Sequence, residues 1–132
     1  MKKKKISTYP KHAVIYDRIF NQQVDVFLNY TPDMYTKWLT RERVIDVVEK
    51  NISDFSGWTS DYEDANGRTK SILFIPKFNW SIKSQGTLIH EIVHIIIKIW
   101  ARNNIPYNYD TQEFLAHSIG NMYEDIAEKL LV

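Results

Sequence analysis

Cysteine is absent from this 132-residue chain. That excludes a disulfide framework, a cysteine-ligated zinc finger and a thiol nucleophile. Glycine and proline are scarce, with four of each, and no low-complexity or Pro/Gly-rich linker divides the chain. Long apolar runs are missing too. The richest, residues 92–100, is interrupted by His94 and Lys98 and is too short to span a membrane. No signal peptide is expected, because no apolar stretch of the needed length follows the lysine-rich start. A large excess of one charge is also lacking. The formal net charge is +1, which argues against a dedicated nucleic-acid binder.

What remains is an ordinary globular composition, 44% hydrophobic and 25% charged, long enough to bury a core in one domain. The charge is unevenly spread. Residues 1–11 carry Lys2, Lys3, Lys4, Lys5 and Lys11 and no acid, which leaves 12 basic and 16 acidic residues for the rest. We read 1–11 as a basic, solvated arm and 12–132 as a single domain. The expected location is the cytoplasm.

Periodicity outlines the elements. Residues 12–20 and 23–28 read as strands, the second with Val24, Val26 and Leu28 alternating with Asp25 and Phe27. Thr31-Pro32 opens a helix as N-cap and first helical position, and Tyr35, Trp38, Leu39, Val44, Ile45 and Val48 carry it to about residue 51. Residues 57–62 and 70–75 read as a hairpin about Asn66-Gly67, and Pro76 suits an edge strand. Two helices follow, at 85–102 and about 111–130, the latter with a stripe of Leu115, Ile119, Met122, Ile126 and Leu130. Ala116 and Gly120 suggest a close approach between these helices. The order implies an α+β domain, with a small mixed or antiparallel sheet packed against two C-terminal helices.

The chemistry lies in His90-Glu91-Ile92-Val93-His94, an HExxH. Four helical residues turn through about 400°, so both imidazoles share one face, one turn apart. Two ligands of a tetrahedral zinc ion need that placement. Glu91, about 100° round the helix, suits a general base toward a water at the metal. Leu88, Ile89, Ile92, Val93, Ile95, Ile96, Ile97 and Ile99 make the helix apolar nearly all round, so the sequence predicts that it is buried. A catalytic zinc site takes three protein ligands. No histidine lies within the dozen residues after His94, and Asp110, Glu113 and His117 are the next candidates. Asp110 and Glu113 also fit a helix-capping box.

The run from Thr87 to His94, then Ile105-Pro106, then Asp110-Thr-Gln-Glu-Phe-Leu-Ala116, resembles the zincin metallopeptidases of the glutamate-ligand branch. It is similar in particular to small zincin-like proteins of phages and prophages. The resemblance covers about residues 70–123. It implies a zinc ion held by His90, His94 and Glu113, with Glu91 as the base and hydrolysis of peptide bonds. It further implies a substrate peptide paired by strand addition with an edge strand made of Ser71, Ile72, Leu73, Phe74 and Ile75. His117 stands where such proteins carry an aromatic, and we expect it to orient a ligand or to help an oxyanion. Tyr107 and Tyr109 are further candidates for an oxyanion contact. His12 reads as structural, and the four tryptophans as packing residues. The alternative expectation is an accessory protein of a phage or mobile element that keeps this fold and binds a host or phage protein without cleaving it. The partner is then a peptide or protein, with no membrane involved.

Overall fold

The computed structural model describes residues 9–42 and 56–131. It is an α+β fold with a four-stranded mixed sheet. The elements run β1 (Lys11–Tyr16), β2 (Gln23–Leu28), α1 (Pro32–Arg41), β3 (Trp58–Glu63), β4 (Thr69–Ile75), α2 (Ile82–Arg102) and α3 (Gln112–Leu131). The strand order is β1-β2-β4-β3. The β1–β2 and β3–β4 pairs are antiparallel, and β2 and β4 lie parallel in the centre, Val24 opposite Ser71 and Leu28 opposite Ile75.

The expected edge strand is therefore corrected. Ser71, Ile72, Leu73, Phe74 and Ile75 lie in β4, which is paired on both sides, and all five are buried. A continuous apolar run signals a strand covered on both faces. Pro76 follows the strand and removes no ladder donor from it. The edges are β1 and β3.

Alternation along the strands sorts side chains into two cores. Val24, Val26, Leu28, Leu73 and Ile75 face α2 and α3 and meet Leu88, Ile92, Ile95, Ile96, Ile99, Met122 and Ile126. Phe27, Ile72, Phe74, Trp58 and Tyr62 face the other way, onto Tyr35, Trp38 and Leu39 of α1. Trp58 stacks on Phe74 with centroids 5.2 Å apart. Helix α1 begins as expected, with the Thr31 hydroxyl accepting from the Met34 amide and Pro at the first turn. Val44, Ile45 and Val48, expected to continue it, lie outside the described residues.

Other differences have local causes. The first strand stops at Tyr16, because the Asp17 carboxylate accepts from the Phe20 amide at 2.6 Å and Asn21 takes a positive φ of 54°. An aspartate that bonds the backbone ahead of it makes a turn. The 64–68 hairpin loop is held by Asp64, whose carboxylate accepts from the Asn66 and Arg68 amides at 2.9 Å, and only Gly67 there has positive φ. Helix α2 starts three residues earlier than expected, at the Ser81 cap.

A closed ring of hydrogen bonds pins the C-terminal end of α2 to the sheet. Arg102 donates to Asp61 and to Gln22, Gln22 donates to the Ser71 hydroxyl, and Ser71 donates to Asp61. Helix α3 returns antiparallel to α2, and the Tyr123 hydroxyl donates to the Gln85 side chain at 3.0 Å. A Cβ added at Gly120 would meet nothing within 4 Å, so the suggested close approach at that position is not present. No helix among the described residues is long and apolar enough to cross a membrane.

Candidate metal centre

Helix α2 carries the whole HExxH. Its core stripe, Leu88, Ile92, Ile95, Ile96 and Ile99, is so apolar that the sequence predicted burial all round. In the structure that stripe is buried together with Ser84, Glu91 and Trp100, while His90 and His94 stand exposed on the opposite face. The two rings meet nearly perpendicular, with an interplanar angle of 74° and Nε2 atoms 3.1 Å apart. In the metal-free pair one ring donates a hydrogen bond and the other accepts. Two imidazole nitrogens at about 2.05 Å from one tetrahedral ion stand about 3.3 Å apart. The pair therefore fits two ligands of one ion.

Glu91 turns the other way and is only 6% exposed. Gly57, just before β3, covers it so closely that an added Cβ would lie 3.1 Å from both Glu91 Cγ and Thr87 Cγ2. Burial pushes the Glu91 carboxyl above its usual range, and His90, His94 and Lys98 partly oppose that shift. A desolvated carboxylate beside two potential ligands is placed to accept a proton. His90 and Glu91 line an open cleft of about 480 Å³ with Ser56, Gly57, Lys83, Gly86 and Thr87.

The remaining candidates lie elsewhere. Glu113 and His117 are one turn apart on α3, 3.8 Å from each other, with side chains 81% and 77% exposed. The phase of α3 explains this, since Leu115, Ile119, Met122 and Ile126 occupy its core face, and residues 113 and 117 fall nearly opposite. Counting back from the Tyr123–Gln85 contact sets Glu113 about level with His94, and His117 about level with His90. Among the described residues no three His, Asp or Glu side chains gather as a metal site, so neither residue joins the histidine pair here. Tyr107 and Tyr109 are exposed in the α2–α3 connection. Asp110 makes no side-chain hydrogen bond to Glu113; its amide donates to Asn108.

His12 lies on the far side of the sheet, donating to Asp25 at 2.9 Å and stacked 4.4 Å above Phe27. Trp38, Trp58 and Trp100 are buried, and Trp80 packs edge-on against Phe78. Sequence reasoning missed Gly57, Lys83, Gly86 and Thr87. Two signals marked them: a lone glycine at a strand start, which allows close backbone approach, and the spacing of 83, 87, 90 and 94 along one helix face. The chain matches no protein-family model, no curated protein and no solved structure.

Proposed function

We propose that this chain is a zinc-dependent hydrolase of the HExxH type, a small zincin-like metallopeptidase acting on peptide bonds. The observation that carries the reading is the 3.1 Å approach of His90 Nε2 and His94 Nε2 beside the desolvated Glu91. His90 and His94 would hold the ion. Glu113 is assigned the third position on the zincin resemblance and on its height level with His94. The ion, when bound, supplies a more acidic water and an electrophile for a carbonyl. Glu91 takes the proton of the attacking water at its carboxylate and returns it to the departing amine. His117, within 3.8 Å of Glu113, orients that carboxylate. With β4 interior, strand addition of a substrate falls to β3, whose start lies over Glu91.

The test is elemental analysis after zinc reconstitution, followed by cleavage of a peptide library by wild type and Glu91→Gln. One zinc per chain is expected, with cleavage by wild type and loss of about two orders of magnitude or more in the variant. No metal, or equal rates, would overturn the reading.

A second reading has its own support. Glu113 and His117 turned to solvent leave the histidine pair without a third ligand among the described residues, which favours an accessory protein of a phage or mobile element that keeps the fold and binds a partner protein without proteolysis. Zinc bound with no cleavage by either form favours it.

A further inference from the structure

We propose that the cleft beside His90 recognises a carboxylate on the substrate peptide through Lys83, about three residues from the bond to be cleaved. The inference rests on the hydrolase reading and names the substrate class of that site. Lys83, Thr87, His90 and His94 fall at i, i+4, i+7 and i+11 on α2, so they form one stripe along its solvent face. Lys83, Thr87 and His90 line the same cleft. The Thr87 hydroxyl is already committed, donating to the Lys83 carbonyl at 3.1 Å, and its methyl group packs toward Gly57. That leaves the Lys83 ammonium as the cation of the cleft mouth, with no acidic partner among the described residues.

Its position on the helix is informative. The first turn of α2 contains no acidic residue, and Lys83 sits there at the positive end of the helix dipole. A cation at that end works against helix stability. It also adds to the field of the dipole, so the cleft mouth attracts an anion. Seven helical residues separate Lys83 from His90, a rise of about 10 Å, which an extended peptide covers in about three residues. Gly86 lies between them, and a Cβ there would meet nothing within 4 Å. The open wall lets a peptide backbone lie along the stripe. An acidic side chain and a C-terminal carboxylate offer the same chemistry, and the test separates them.

The experiment uses full-length, zinc-reconstituted Glu91→Gln protein and labelled decapeptides of neutral residues, with one glutamate moved through each position, read by fluorescence anisotropy. A parallel set carries a free or an amidated C-terminus. One glutamate register, or the free C-terminus, is expected to tighten binding about fivefold, the scale of one exposed charge pair. Lys83→Glu should abolish that preference and transfer it to a lysine in the same register, while Lys83→Arg keeps it. An acid in the first turn suits the helix dipole, so Lys83→Glu should fold. Gly86→Ala should raise the melting temperature, as alanine for glycine does in a helix, yet weaken every peptide. A flat scan, a preference that survives Lys83→Glu, or no peptide binding overturns the proposal. Zinc bound with a flat scan removes this inference alone. A register effect without any bound zinc removes the hydrolase reading and leaves the carboxylate site standing.

Discussion

Tyr123 and Gln85 join α3 to α2 by a 3.0 Å hydrogen bond, and that bond fixes which turns of the two helices stand side by side. It sets Glu113 at the height of His94 and His117 at the height of His90, with the Glu113–His117 and His90–His94 pairs each exposed on its own helix. The ligand question thus becomes a comparison of two residues on one helix.

Glu113→Ala is expected to remove most zinc affinity, and His117→Ala to lower it 10- to 100-fold, the range for a residue that orients a ligand. Competitive zinc titrations with a chromophoric chelator check the order. The reverse order makes this a three-histidine site. No effect from either variant leaves a two-histidine site and supports the binding-protein reading.

Zinc should raise the melting temperature, and a chelator should lower it again, because an ion bound only by the folded chain stabilises it by mass action. Imidazoles and carboxylates bind metal in their deprotonated forms, so the zinc-dependent increment should shrink as pH falls. Melting curves with and without zinc across pH 5–8 measure it, and an increment independent of pH would contradict histidine ligation.

Glu91→Gln should stabilise the metal-free protein at neutral pH. The folded-state pKa of Glu91 is raised by burial. A raised pKa means the folded chain holds the proton more tightly than the unfolded chain does. The carboxyl therefore favours folding below its unfolded pKa, about 4.3, and that contribution is lost as pH rises through the folded value. Glutamine is neutral throughout, so its advantage should be present at pH 7 and vanish toward pH 4. Thermal melts of both proteins over that range decide it.

Gly57→Ala should leave zinc binding intact and impair the base. The new methyl would stand 3.1 Å from Glu91 Cγ and Thr87 Cγ2. Relief requires Glu91 to shift, at a stability cost of about 1–3 kcal/mol. Equal zinc affinity with reduced cleavage is the expected pattern, and unchanged cleavage would show that Gly57 does not hold Glu91 in place.

Asp25→Ala should destabilise the fold by about 3 kcal/mol. Asp25 is 2% exposed and accepts from His12, Tyr62 and Gln23. Removing it strands His12 between Phe27 and Trp38. Burial and the Asp25 charge push the Tyr62 hydroxyl pKa far upward, so the phenol remains a neutral donor. Denaturant unfolding measures the loss, and a change under 1 kcal/mol would show the cluster to be dispensable.

The class, the strands near 23–28 and 70–75 and both C-terminal helices were legible in the sequence, because period-2 and period-3.6 patterns report which side of an element is apolar. The pairing partners were not. Residues 71–75 read as an edge strand because Pro76 follows them, and their central place rests on long-range pairing with β2 and β3 on either side. The spacing of His90 and His94 gave their shared face, but the apolar flanks pointed to burial, and only the packed helix shows that the histidines occupy its wet side. Glu113 and His117 were legible as a pair one turn apart. Their rotation away from α2 depends on the phase at which Leu115 and Ile119 dock, which a loop of irregular residues between the helices sets.

The central parallel pair bears on the order of synthesis. Val24 meets Ser71 across 47 residues of chain, so the middle of the sheet cannot close until β4 has emerged from the ribosome. One face of that newly closed sheet, with Val24, Val26, Leu28, Leu73 and Ile75 on it, then waits for α2 to cover it. Long-range closure of this kind is slow, and uncovered apolar sheet is prone to aggregate. The helix that carries the histidines is also the cover that ends this interval, so a substitution on its core face such as Ile92→Asp would show first as insoluble nascent protein.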